Sequence, residues 1–236
     1  MTVIVAVVPA LDEEANIGGV VTGIARYVHQ VVVVDNGSAD RTAACAAEAG
    51  ADVVIEPRRG YGRACLAGIE RARTLQADIV LFLDGDGSDD PADAPRVLQE
   101  VLVDRADITL GNRTRELTDR GAMTSVQRFG NWFAPLLMRL AVGARYRDMP
   151  PFKACSMRAL DQLGLKDTGH GFTIELMMKA HRHRLRVEQV SVRCHARKAG
   201  VSKVSGNLRG ATRAAFKITS SIARHTVRYR YAPDRP

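Results

Sequence analysis

The sequence predicts an α/β fold: a single domain on a mostly parallel central sheet flanked by helices. Three observations predict it. Short apolar runs alternate with helical patterns through the first hundred residues, the signature of right-handed βαβ units. The runs are continuously apolar, as in Val31-Val32-Val33-Val34 and Ile79-Val80-Leu81-Phe82-Leu83, which suits strands covered by helices on both faces. At 236 residues, 46% hydrophobic and 25% charged, the chain can bury one large core, and two full domains would be cramped.

Taken in order, Val3 to Val8 reads as a strand followed by a helix from Ala15 to Arg26. Val31 to Val34 is followed by a helix from Asp40 to Ala49, with Asp40 as its N-cap. Val53 to Ile55 precedes a helix from Tyr61 to Leu75, and Ile79 to Leu83 precedes one from Ala92 to Val103. Polar clusters stand where these strands end: Asp12-Glu13, Asp35-Asn36-Gly37-Ser38 and Asp84-Gly85-Asp86. Ligands of open α/β sheets sit beyond the carboxyl ends of the strands, so the three clusters should share one crevice.

The second half is less regular. A short strand Ile108 to Leu110 leads into the polar, Arg-rich stretch Gly111 to Arg120, and Met123 to Val142 reads as a helix carrying Trp132 and Phe133. Asp148-Met149-Pro150-Pro151-Phe152 breaks the chain, Phe172 to Ala180 reads as a helix and Leu185 to Val192 as a strand. From Leu208 the apolar positions Leu208, Ala211, Ala215, Ile218 and Ile222 recur at three and four, with Arg209, Arg213, Lys217, Arg224 and Arg228 on another face. That pattern predicts a basic amphipathic helix and tail over 207–236.

Net charge is +8, and from Lys179 onward fifteen Lys and Arg stand against only Glu188 and Asp234. Nucleic acid, diphosphates and acidic lipid headgroups all suit such a surface, and charge alone does not separate them. No recognition-helix, RNA-platform or zinc signature accompanies it, so no nucleic acid is expected as partner. The apolar start lacks a basic leader and cleavage site, which predicts a cytoplasmic protein. No uncharged run reaches the roughly 18 residues of a membrane span; the nearest, Phe129 to Tyr146, is interrupted by Arg139 and Arg145. Cys45, Cys65, Cys155 and Cys194 are scattered, predicting reduced, buried thiols, and His170 and His195 have no triad or metal spacing and read as structural or solvent-facing.

The segment richest in chemistry is Asp84-Gly85-Asp86-Gly87-Ser88-Asp89-Asp90-Pro91. Two carboxylates one residue apart at the exposed end of a buried strand can converge on Mg2+ or Mn2+ bridging a nucleotide diphosphate. A lone Asp-x-Asp is equally the pattern of a solvated acidic turn, so its context decides.

That context is Val8-Pro9-Ala10-Leu11-Asp12-Glu13-Glu14-Ala15-Asn16-Ile17 after the first strand and Asp35-Asn36-Gly37-Ser38-Ala39-Asp40-Arg41-Thr42 after the second. With Asp84-Gly85-Asp86 they resemble glycosyltransferase family 2, on its dolichyl-phosphate-mannose-synthase-like side. The resemblance continues through Gly60-Tyr61-Gly62-Arg63-Ala64, Gly111-Asn112-Arg113, Arg128-Phe129-Gly130-Asn131, Phe152-Lys153, Gly171-Phe172-Thr173-Ile174-Glu175 and Gly200-Val201-Ser202-Lys203-Val204-Ser205. It implies one Rossmann-like GT-A domain over 1–206, with a nucleotide-binding half at 1–110 and an acceptor half at 111–206. It also implies inverting transfer from a nucleotide-sugar donor with Mg2+ or Mn2+ as cofactor.

Residue by residue, the resemblance places Pro9, Leu11, Glu13 and Asp35 around the nucleoside, with Asp35 on the base. Asp84 and Asp86 serve the metal and the donor diphosphate. Arg113, Arg128 and Lys203 match positions that meet acceptor phosphate and diphosphate. Asp12, Asn36 and Ser88 depart from the usual Asn, Asp and Gln, which bears on base and sugar preference. A polyprenyl phosphate met at the membrane surface is ionised already and needs no general base; a hydroxyl acceptor needs one, for which Glu175 and Asp148 are the candidates. Two other readings remain open: a sugar nucleotidyltransferase, disfavoured by the acidic Asp12-Glu13-Glu14, and a non-enzymatic nucleic-acid binder. Oligomeric state is not legible in the sequence.

Overall fold

The computed structural model describes residues 1–197 together with residues 219, 220, 222, 223 and 226. The strands are β1 (Ile4–Ala10), β2 (Gln30–Asp35), β3 (Asp52–Ile55), β4 (Ile79–Phe82), β5 (Ile108–Thr118), β6 (Lys153–Ser156) and β7 (Val187–Cys194). The helices are α1 (Ile17–Ala25), α2 (Thr42–Glu48), α3 (Tyr61–Thr74), α4 (Ala94–Leu102), α5 (Ser125–Val142), α6 (Met157–Leu163) and α7 (Phe172–Arg182). A 3-10 turn at Pro91–Asp93 leads into α4. The strands form one sheet in the order β3-β2-β1-β4-β6-β5-β7. β6 is antiparallel to both its neighbours, β4 and β5, and the remaining pairs are parallel.

The side-chain period of two explains the continuous apolar runs. Val5 and Val7 of β1 point into one core with Ala64 and Ile69 of α3, Leu160 of α6 and Leu176 of α7. Ile4, Ala6 and Val8 point into a second core with Ile17, Val21 and Ile24 of α1 and Val97 and Leu98 of α4. The residues of β1, β2 and β4 are therefore buried almost throughout, whichever face they take, and alternation disappears from these strands.

The first half follows expectation apart from one helix cap, and the second departs from it in two places. The expected strand Ile108 to Leu110 continues to Thr118, because Gly111, Asn112 and Arg113 pair in parallel with Val190, Ser191 and Val192 of β7. Its polar side chains carried no strand signal; its partner strand supplies the order. β6 and α6 were not expected at all. β6 has four residues, among them the fully buried Lys153, and it is held as a strand by ladders on both sides. Asp40 does not occupy the N-cap of α2, which is Arg41; instead its carboxylate accepts from the Thr42 amide at 3.0 Å and the Glu14 amide at 3.2 Å, joining two loops.

α5 begins at Ser125, where Thr124 and Gln127 form a reciprocal capping box, and ends at Gly143 in the left-handed conformation. The cysteines are free, with Cys65, Cys155 and Cys194 buried and Cys45 only half-buried. Burial pushes the Cys65 and Cys155 thiols up to about 12. No helix among the described residues is long and apolar enough to cross a membrane. The boundary at 206 and nearly all of the amphipathic segment expected over 207–236 lie outside the described residues. Of its apolar stripe, Ile222 is buried in the core that contains Ala134 and Met138 of α5.

Candidate active site

β1 has β2 on one side and β4 on the other, so the chain leaves the ends of β1 and β4 in diverging directions. A crevice opens at that switch point, as open α/β sheets require. Its volume is about 580 Å³, and its walls include Pro9, Leu11 and Glu13 after β1, Asn36 after β2, Arg59, Tyr61 and Arg63 around the start of α3, and Asp84 and Asp86 after β4. Thr168, Gly169, His170 and Arg197 close it.

The loops after β1 and β2 are stapled together. Asp12 N donates to Ser38 Oγ at 2.9 Å, Ala39 N to Asp12 Oδ1 at 2.7 Å, and Glu13 N to Thr42 Oγ1 at 2.7 Å. Asn36 explains its own departure from the family pattern: its Nδ2 donates to the carbonyls of Glu56 and Arg58, and its Oδ1 accepts from Gly60 N at 2.7 Å. A carboxylate could not make the two donations. Gly60 and Gly62 in turn let the backbone of residues 167 to 169 cross the start of α3. Gly62 N donates to Gly169 O and Arg63 N to Thr168 O, both at 3.1 Å, and a Cβ at Gly62 would overlap the Asp167 carbonyl oxygen.

The acidic loop concentrates negative charge in a buried place. Asp86 is 5% exposed; its Oδ1 accepts from Ser88 N at 2.9 Å and its Oδ2 pairs with Arg197 Nη2 at 2.5 Å. Asp89 Oδ2 accepts from Asp84 N at 3.1 Å. Asp84 Oδ1 and Asp89 Oδ1 are buried with no hydrogen-bond partner among the described residues. Burial, and then the charge of Asp86, raise the Asp84 carboxyl above its usual range, against the pull of Lys153, Arg113 and Arg197. Burial, and then Asp84, raise Asp89 likewise.

An orphaned carboxylate oxygen beside a second carboxylate is the donor set a hard divalent cation completes. No group of three or more His, Cys, Asp or Glu able to hold a metal stands among the described residues. The orphaned oxygens of Asp84 and Asp89 fit the chemistry of a hard divalent cation, which could take its remaining oxygens from a diphosphate and water.

Of the residues expected at the site, Pro9, Leu11, Glu13, Asp84 and Asp86 line the crevice. Asp35 ends β2 beside it and accepts from Ser38 N at 3.0 Å. Four others stand apart from its walls. Arg113 and Asp148 are each other's partners: Nε to Oδ2 is 2.8 Å and Nη2 to Oδ1 is 2.9 Å, both side chains are largely buried, and the Arg113 and Met149 amides also donate to this carboxylate. The guanidinium fork expected on a phosphate is thus filled by the carboxylate expected to act as base.

Glu175 is 3% exposed, with Oε2 accepting from Lys166 N and Asp167 N at 2.9 and 2.6 Å and Oε1 paired with Lys179 Nζ at 2.8 Å. Burial would raise its carboxyl, but Lys179 and the two amides outweigh burial and hold it below the usual range. Arg128 is exposed on α5, 3.4 Å from Ser125 Oγ. Lys203 lies outside the described residues.

Sequence reasoning missed five contributors. Arg197 follows the end of β7, and the position of a basic residue just past a strand end was the available signal. His170, expected to be structural or solvent-facing, lines the crevice and stacks on Tyr61 with ring centroids 6.4 Å apart. Asp89 stood inside a quoted motif without a role, and Asn36 was read only as a departure bearing on base and sugar preference. Lys153 is fully buried, donates to Pro150 O and Pro151 O at 3.3 and 3.0 Å, and lies 5.3 Å from the Phe82 ring centroid. Outside the crevice walls, His195 bridges Asp119 Oδ2 at 3.1 Å and Asp90 Oδ2 at 3.3 Å, a structural role; burial lowers its pKa, but the two carboxylates prevail and leave it raised.

The sequence profile of Glycosyl transferase family 2 matches residues 5–164, more than half of the chain and every strand end that shapes the crevice from β1 to β4. The chain belongs to glycosyl transferase family 2. An uncharacterized glycosyltransferase of Mycobacterium tuberculosis is 36% identical to this family 2 chain over 207 residues, covering 88% of this chain and 92% of the relative. An undecaprenyl-phosphate mannosyltransferase of Micrococcus luteus is 27% identical over 190 residues, 76% of this chain and 77% of the relative. Among solved structures, glucosyl-3-phosphoglycerate synthase of M. tuberculosis, crystallised with Mn2+, uridine diphosphate and glucosyl-3-phosphoglycerate, superposes with a TM-score of 0.76 at 23% identity. That match covers 99% of this chain and 81% of the synthase, and establishes the GT-A fold for this family 2 member.

Proposed function

We propose that this family 2 protein is an inverting hexosyltransferase that moves a sugar from a nucleotide-diphospho-sugar to a polyprenyl phosphate, on the cytoplasmic face of a membrane. The observation that carries the donor half is the crevice itself, where Asp84 and Asp86 line one wall and Pro9, Leu11 and Glu13 another. Pro9 and Leu11 offer the base an apolar face, Glu13 accepts from ribose hydroxyls, and Asp35 accepts from a base N–H. Asp84 and Asp86 would hold Mg2+ or Mn2+, which when bound supplies positive charge to the departing diphosphate. Arg197, already on Asp86, gives the diphosphate a guanidinium within the crevice, and Lys203 would add cationic charge for the negative charge that the leaving diphosphate develops.

The acceptor half rests on a different observation. Both candidate bases are committed internally, Asp148 to Arg113 and Glu175 to Lys179 and two amides. A sugar hydroxyl must lose a proton as it attacks, whereas a phosphate oxygen is an anion already. With both expected bases engaged, a phosphate nucleophile is favoured, which attacks opposite the leaving diphosphate and inverts the anomeric centre. The chemistry named for the M. luteus relative agrees.

A thermal-shift screen of UDP-, GDP- and dTDP-sugars with and without Mn2+ identifies the donor, because a ligand of the folded state raises apparent stability with its affinity. Transfer assays with that donor then compare a polyprenyl phosphate, 3-phosphoglycerate and a free sugar. Turnover with the lipid phosphate is expected. Turnover confined to the free sugar, or to 3-phosphoglycerate with the sugar placed on its hydroxyl, overturns the acceptor reading and makes a base obligatory, whereas 3-phosphoglycerate glycosylated on its phosphate would keep the phosphate nucleophile and remove the lipid.

A further inference from the structure

α5 is apolar on two opposite faces. Its inner face, with Ala134, Pro135 and Met138, packs into the core. Its outer face carries Phe129, Trp132, Phe133, Leu136 and Leu140, which at helical spacing fall within an arc of about 100°. Phe129, Trp132 and Leu140 are 52, 61 and 75% exposed. The Phe129 ring lies 5.3 Å from that of Phe133 and 6.0 Å from that of Trp132, so these aromatics form one continuous patch. Large apolar side chains contiguous on a surface mark a contact that is not yet made.

The charge beside this stripe selects the occupant. From Arg120 to Arg147 the sequence holds five arginines and no Asp, Glu or Lys. Arg128 and Arg139 lie along one flank of the stripe at the same helical angle, and both are exposed. Two copies joined through this face would bring arginines together with no carboxylate on the helix to pair them. An anionic lipid surface offers phosphates at the depth of the guanidinium groups and hydrocarbon to the aromatic rings, the arrangement of interfacial helices. The helix also starts near the site. Asp119, in the loop before α5, is joined through His195 to Asp90 beside the acidic loop.

We infer that the outer face of α5 is a membrane-docking surface, seating Phe129, Trp132, Phe133, Leu136 and Leu140 among the lipids of an anionic leaflet with Arg128 and Arg139 on its phosphates. The inference gains its purpose from the polyprenyl-phosphate reading above, but it is tested by binding, without turnover. Trp132 is the only tryptophan of the chain, so selectively excited tryptophan emission reports this face alone.

The full chain is titrated with vesicles of phosphatidylglycerol and phosphatidylcholine, and of phosphatidylcholine alone, with neither donor nor acceptor present. A blue shift of Trp132 emission, protection from acrylamide and quenching by brominated lipid are expected with the anionic vesicles, weakened by salt. The exposed double variant Phe129→Ser with Leu140→Ser should bind on the order of tenfold or more weakly, with an unchanged circular dichroism spectrum. Co-sedimentation with the Trp132 spectrum unmoved would place the contact elsewhere on the chain and overturn the inference. So would a blue shift that depends on protein concentration in the absence of vesicles, accompanied by a dimer in sedimentation velocity. Docking with no transfer to polyprenyl phosphate would sink the acceptor reading and leave this surface standing.

Discussion

Replacing Glu175 by Gln separates a general base from a loop clamp. The carboxylate takes two backbone N–H groups on Oε2 and the Lys179 ammonium on Oε1, and it is 3% exposed. Hydrogen bonds to charged groups contribute roughly 1.5–3 kcal/mol each, and removing one member of a buried pair costs about 3–5 kcal/mol when the other charge is stranded. Here the loss is smaller, because the glutamine oxygen still faces the two amides and Lys179 keeps the Gly164 carbonyl at 2.8 Å. A destabilisation of about 2 kcal/mol follows, or roughly 4–8 °C in Tm for a chain of this size. The clamped residues 166 and 167 run into Thr168, Gly169 and His170 of the crevice wall, so donor KM should rise several-fold while kcat stays within about threefold.

The sign of the pH effect is fixed by the same contacts. The folded pKa is lowered, so the Glu175 contribution is fully present above the unfolded value of about 4.3 and is lost as pH falls through the folded one. Wild type and Glu175→Gln should therefore converge in urea-unfolding free energy at acid pH and differ at neutral pH. A kcat that collapses by about a hundredfold or more with Tm unchanged would refute the clamp and restore the base.

Asp86→Ala should abolish metal-dependent donor binding in calorimetry with the fold intact, since removing one carboxylate relieves repulsion with Asp84; appreciable transfer in Mn2+-supplemented buffer would contradict the metal assignment. Gly62→Ala forces the Asp167 carbonyl away from α3, which should cost about 1–3 kcal/mol in denaturant unfolding and raise donor KM, and a wild-type unfolding curve would deny the close approach. Asp107→Asn should lose about 1–2 kcal/mol at neutral pH, because Arg186 and then Arg158 hold this carboxyl down to about 2 from partly exposed positions. That deficit should vanish as pH falls from about 4 towards 2, and a deficit independent of pH would remove the ion pairs as its cause.

The donor half of the fold was legible because each of its strands is apolar on both faces and ends in a polar cluster that the next helix cannot absorb. Pro9, Leu11, Glu13, Asp84 and Asp86 all stand at such ends, and the crevice gathers them without any long-range pairing rule beyond strand order. The acceptor half was less legible because its order is supplied by partners distant in sequence. Gly111 to Thr118 is a strand only because β7 lies beside it, and β6 exists only between β4 and β5. The same cause misled the side-chain readings. Arg113 and Asp148 each have the chemistry expected of a functional group, and only the fold reveals that they spend it on each other.

Arg197 shows where that limit bears on mechanism. Its guanidinium contacts Asp86 at 2.5 Å and stands 3.7 Å from Glu13, placing positive charge among the carboxylates that a divalent cation and a ribose would contact. Without it, Asp84, Asp86 and Asp89 would crowd three carboxylates into a buried loop, and two of them already carry raised pKa values. Arg197 offsets that repulsion while no donor is bound, but a cation on Asp86 must compete with it. Arg197→Gln should therefore bind Mn2+ alone more tightly and, lacking a guanidinium for the diphosphate, bind a nucleotide diphosphate with Mn2+ more weakly. Titration calorimetry reads both quantities on one protein. A variant in which both affinities move in the same direction would show that Arg197 does not exchange one partner for the other, and would reduce it to a fixed part of the wall.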